Sequence, residues 1–183
     1  MGIRLSDSRY EEIKRIVVEM YRKYKIFCTP VSAFEIATKM GIKVIPYSSY
    51  PQKVQRLLLK KSEDGFSVQL QNGEWQIYYN DAKSYGRTNN TLMHEIGHIV
   101  LDHSEDSELA ESEVKFFAKY ALAPPVLIHK LRLTNPAEIA DSFQISHEAA
   151  EYAYNYYQKW LIYGDVDLTD YETVMWQLFD QAS

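Results

Sequence analysis

TLMHEIGHIVLDH, residues 91–103, is the stretch around which the rest of the chain can be ordered. It sets His94, Glu95 and His98 in the spacing H-E-x-x-H, which on a helix is the two-histidine zinc site of a metallopeptidase with a glutamate as its base. With Thr91 at zero and steps of about 100° per residue, His94, His98 and Asp102 fall at about 300°, 340° and 20°, and Glu95 at about 40°. The chemistry occupies one sector. Leu92, Met93, Ile96, Ile99 and Val100 fall between about 80° and 200°, so the same helix carries an apolar face for a core. Gly97 lies outside both and removes a side chain where another element can come close, at a cost of roughly 1 kcal/mol relative to Ala. A five-residue pattern also arises by chance on ordinary amphipathic helices, so the remaining parts of a site must come from elsewhere in the chain.

Composition narrows where they can come from. The single cysteine, Cys28, excludes an intramolecular disulfide and leaves too few thiolates for a zinc cluster, so imidazole and carboxylate must hold any metal. A chain of 183 residues, 46% apolar and 25% charged, suits one soluble domain or one domain with a small appended subdomain. No apolar run approaches the roughly 20 residues needed to cross a bilayer, and MGIRLSDSRYEEIKR lacks a signal-peptide apolar region, so a cytoplasmic protein with no membrane partner is expected. The net charge of −5 is unevenly spread: Arg4, Arg9, Lys14, Arg15, Arg22, Lys23 and Lys25 crowd the first helix, whereas beyond Arg132 only Lys159 is cationic. The C-terminal third therefore lacks the cationic surface that nucleic acid requires.

Periodicity and punctuation predict a helix over residues 6–27 capped by Ser6, a second over 31–40 ended by Gly41, a short strand over 42–45, and a helix over 52–61. Residues 66–70 and 75–79, separated by Gln71-Asn72-Gly73, read as a β-hairpin that delivers the chain to the histidine helix. A strand edge beside that helix can hold a peptide in extended form. After a polar turn at residues 104–107, Ser107 can cap a helix over 108–122 ended by Pro124-Pro125. Residues 136–143 and 147–162 form a helix-turn-helix-like pair with Ser146 as cap, followed by an acidic amphipathic tail over 168–179. Glu138, Asp141, Glu148 and Glu151 in that pair argue for packing or partner binding rather than DNA reading.

The 108–122 helix offers a third ligand. With Glu108 at zero, Leu109, Ala110, Val114, Phe117, Tyr120 and Ala121 span about 100° to 240°, and Glu113 falls inside that stripe at about 140°. A carboxylate among core residues is costly unless it is paired or bound to a metal. Glu113 is thus the expected ligand beside His94 and His98, the competing reading being a buried carboxylate paired with Arg87 or a backbone amide. Glu111, on the polar side, is the fallback. Two imidazoles and one carboxylate give a Zn2+ ion its three catalytic-site ligands, with Glu95 as base. Asp102 either orients an imidazole or is simply solvated. His103 would project to about 120° if the helix continued, and is excluded on that condition. His129 and His147 stand alone. The oxyanion donor is open among Tyr78, Tyr79, Tyr85 and Arg87.

These residues resemble the ImmA/IrrE-type metallopeptidases. The likeness runs from Arg87 through TLMHEIGHIVLDH into ESEVKFFAKYALAPP, where Glu111, Glu113, Phe117, Ala118, Leu122 and Pro124 match the family's pattern and Val114-Lys115 stands where it has Ala-Asn. AEIADSFQISHEAAEY is similar to its downstream helical segment. The resemblance implies a zinc-dependent endopeptidase that cleaves or inactivates a helix-turn-helix transcriptional repressor, typically of a phage or mobile element. The alternative is a non-catalytic or autoinhibited regulator that binds a repressor through its C-terminal helices. The expected fold is α+β: a mostly helical, zincin-like domain over residues 1–132 with a small antiparallel sheet beside the histidine helix, and a C-terminal helical subdomain over 133–183.

Overall fold

A computed structural model describes residues 3–103, 107–164 and 167–180. Helix α1, Asp7–Tyr24, starts where the Ser6 side chain accepts from the Arg9 N–H, and it buries Ile13, Val17 and Tyr21. Helix α2, Ala33–Lys39, leads through Gly41, at φ +75°, into strand β1, Lys43–Pro46. A 3-10 turn at Tyr47–Ser49 and helix α3, Gln52–Lys61, precede the hairpin of β2, Gly65–Gln69, and β3, Trp75–Tyr79.

The sheet is mixed, where an antiparallel one was expected. Its order is β1-β3-β2, with β2 and β3 antiparallel and β1 parallel to β3 in the register Val44↔Ile77. Parallel neighbours need a crossover of a dozen or more residues, and residues 47–74 provide one. The sheet face formed by Gly65, Ser67 and Ile77 turns toward α4, Tyr85–Val100. A Cβ on Gly65 would lie 2.7 Å from both the Thr91 side chain and the Tyr78 carbonyl, so glycine is what lets β2 sit this close to α4.

Helix α5, Glu108–Leu122, capped by Ser107 as expected, runs antiparallel to α4 and packs tightly on it. A Cβ on Gly97 would meet Phe117 at 3.0 Å and Val114 at 3.3 Å, which identifies the element that the bare glycine admits. The turn expected at 104–107 lies mostly outside the described residues. Pro124-Pro125 ends α5 but also begins a short helix that the sequence reading did not anticipate, α6, Pro125–Lys130. Proline in a first turn gives up an N–H that would be unpaired anyway.

Helices α7, Pro136–Phe143, α8, His147–Tyr163, and α9, Asp170–Leu178, complete the described fold. Thr169 and Glu172 close a reciprocal capping box on α9, and Tyr171 donates to Glu11 of α1 at 2.7 Å. One continuous core joins Tyr21, Met93, Ile96, Phe117, Leu127, Phe143 and Met175. The result is an α+β fold in which helices dominate around a three-stranded sheet. Among the described residues no helix is long and apolar enough to cross a membrane.

Candidate metal centre

The polar sector of α4 meets the first turn of α5. His98 Nε2 lies 3.3 Å and His94 Nε2 3.7 Å from the same carboxylate oxygen, Oε1 of Glu111. One donor atom from each of the three residues lies within 4.8 Å of the others. A tetrahedral zinc with bonds of about 2.0 Å has ligand-to-ligand edges of about 3.3 Å, so the donors fit such an ion. Burial holds the His94 imidazole below its ordinary pKa, favouring the neutral form that a metal requires.

Glu113, the ligand expected from the sequence, is not brought to this cluster. It is buried, as its place in the apolar stripe required, at 6% exposure. Its carboxylate is taken by other partners: Arg9 Nε donates to Oε1 and Arg9 Nη2 to Oε2, each at 2.7 Å, and His103 Nε2 lies 2.8 Å from Oε2. That guanidinium holds Glu113 below the usual carboxylate range, with His103 adding to the effect and burial opposing it. The buried-carboxylate alternative describes Glu113, with Arg9 in the place given to Arg87. Arg87 instead pairs with Asp64, at 2.6 and 2.9 Å.

The end of α4 explains His103. The helix stops at Val100, and Asp102 adopts the left-handed conformation at φ +55°. The N–H of Asp102 then bonds the Ile99 carbonyl and that of His103 the His98 carbonyl, the two bonds of a Schellman C-cap. The chain therefore folds back, and His103 Nδ1 comes to 3.3 Å from His98 Nδ1. The condition on which His103 was excluded, a continuing helix, is not met. Asp102 itself is exposed.

Glu95 sits beside the cluster and is held by an unanticipated residue: the Ser67 hydroxyl of β2 donates to its Oε2 at 2.7 Å. Of the four candidate oxyanion donors, Tyr78 and Arg87 have polar partners elsewhere. Tyr78 lies on the opposite sheet face, stacked on Phe66 and bonded to Gln76, while Tyr79 and Tyr85 both pack on Phe34. His129 meets the Tyr157 hydroxyl at 3.0 Å, and His147 is exposed. A cavity of about 670 Å³ lies between the start of α4 and the end of α5, lined by Arg87, Asn90, Lys119, Tyr152 and the Gln144–Ser146 turn, and none of the three donor residues lines it. Asn90 is one helical turn before His94, and Lys119 two turns after Glu111.

A His-His-Glu donor set on two antiparallel helices, with Glu95 beside it and an edge strand alongside, defines a site of the metallopeptidase class. The family model for the IrrE N-terminal-like domain, Peptidase M78, matches residues 37–155, well over half of the chain, and the chain belongs to that metallopeptidase family. No curated protein matches it. The matched span includes α4 and α5 but not Arg9.

Proposed function

We propose that the chain is a zinc-dependent endopeptidase in which His94, His98 and Glu111 hold the metal and Glu95 is the general base. The observation that carries this reading is the convergence of three donor atoms within 4.8 Å at the H-E-x-x-H helix. When bound, zinc supplies a Lewis acid that polarises a scissile carbonyl and acidifies a water. Ser67 holds Oε2 of Glu95 and no other hydrogen bond engages Oε1 among the described residues, so Glu95 can take the water's proton and pass it to the leaving amine.

The substrate side is supported by the sheet. Strand β2 pairs with β3 on one side only, and among the described residues its other edge offers backbone groups to which an extended peptide can add. Membership of the family supports a protein substrate, and we take a helix-turn-helix repressor of a phage or mobile element as its class. The test is to incubate the zinc-loaded chain with the repressor encoded in the neighbouring reading frame and identify fragments by mass. One defined cleavage is expected, and Glu95→Gln should retain zinc and lose the cleavage. Partner release with no new fragment would reject peptidase action, and continued cleavage by Glu95→Gln would remove Glu95 from the mechanism.

A further inference from the structure

We propose that His103 and Glu113 are positioning residues for the metal site, ordering protons along a chain from Arg9 through Glu113 and His103 to His98. This rests on the reading that His94, His98 and Glu111 hold the metal. The chain is continuous: Arg9 bonds both oxygens of Glu113 at 2.7 Å, Glu113 Oε2 lies 2.8 Å from His103 Nε2, and His103 Nδ1 lies 3.3 Å from His98 Nδ1. The His103 and Glu113 side chains are only 12% and 8% exposed, so water competes little for these bonds.

One charge sets every proton in the chain. The Glu113 carboxylate, bound to a guanidinium, only accepts, so His103 must present its N–H at Nε2. A neutral His103 then has a bare Nδ1, which can only accept from His98. His98 therefore carries its proton on Nδ1, and its Nε2, the atom facing Glu111 at 3.3 Å, is left with a free lone pair. The hydrogen bond to the second nitrogen is what fixes tautomer and ring orientation in histidine ligands generally. Here a second histidine delivers it from a carboxylate that is itself anchored to α1.

The experiment uses the full zinc-loaded chain. Long-range proton–nitrogen correlation spectra should show His103 protonated at Nε2 and bare at Nδ1, with His98 protonated at Nδ1. Protonation of His103 at Nδ1 would overturn the proposal, and this readout needs no variant. Zinc affinity, measured by competition with a chromophoric chelator, should fall roughly 10- to 100-fold in His103→Leu, the range for such outer groups. His103→Asn, whose amide oxygen takes the place of Nδ1, should recover to within a few-fold of the parent. Unchanged affinity in His103→Leu, or equal losses in both variants, would leave His103 a packing residue and reject the relay. A parent chain that takes up no zinc would instead reject the metal site itself.

Discussion

Glu111 and Glu113 lie two residues apart on α5 and about 200° apart around it, and they have opposite surroundings. Glu111 has a side chain 38% exposed and faces two imidazoles across the α4–α5 groove. Glu113 is buried and held by a bidentate guanidinium and a third histidine. The difference teaches what burial of a carboxylate does and does not say. A buried carboxylate demands a partner, but a cation from a distant helix satisfies that demand as well as a metal does. A ligand to a reactive ion, by contrast, has to stand at the rim of a groove that substrate can enter.

The sharpest way to break this comparison is Glu111→Gln. If Glu111 is the ligand, zinc affinity should fall by more than about 100-fold, beyond the range typical of groups that only support a ligand. The metal-free protein should nearly keep its denaturation midpoint, because a half-exposed side chain outside the core shifts stability by roughly 0.5 kcal/mol. Near-parental zinc binding by this variant would return Glu113 to consideration as the ligand.

Arg9→Met probes the other carboxylate and should show the opposite pattern. Removing one partner of a buried pair costs about 3–5 kcal/mol, and the partial exposure of Arg9 reduces the expected loss to about 2 kcal/mol, read by urea denaturation at neutral pH. The sign with pH follows from the direction of the shift. Glu113 is held below its ordinary pKa chiefly by Arg9, so the stabilisation is complete above the unfolded carboxylate value and is lost as pH falls through the depressed folded one. The gap between parent and variant should therefore be largest at neutral pH and narrow on acidification. A gap that widens in acid would show that Arg9 is not what holds Glu113 ionised.

The contrast also marks how far the sequence could be followed. The α4 sector, the Ser107 cap and the hairpin are local patterns, each set by residues close in the chain, whereas Gly97 signalled a close approach without saying which element makes it. Angular position correctly placed Glu113 in the apolar stripe. Its partner, Arg9, lies 104 residues away on α1, and a pairing at that separation leaves no periodic trace. His103 was closer to legible: Asp is among the residues that tolerate the left-handed conformation, so Asp102 could have signalled a Schellman stop and a chain reversal over His98. The parallel pairing of β1 likewise depends on where a long crossover returns, which neither strand encodes by itself.

Ser67 gives the smallest expected effect and tests whether the two sides of the groove are chemically separate. Its hydroxyl donates to Glu95 Oε2 from β2, and among the described residues it bonds neither Glu111 nor Glu113. A hydrogen bond to a charged group contributes about 1.5–3 kcal/mol, but Glu95 lies beside a solvent-reachable groove, where water can replace part of that. The lower end, about 1.5 kcal/mol, corresponds to roughly a tenfold change in rate. Ser67→Ala should thus cleave roughly tenfold more slowly while binding zinc with parental affinity, and Ser67→Thr, which keeps the hydroxyl, should recover most of the rate. Loss of zinc affinity in Ser67→Ala would mean that β2 supports the metal cluster as well as the base, and the separation between ligand carboxylate, structural carboxylate and catalytic base would have to be redrawn.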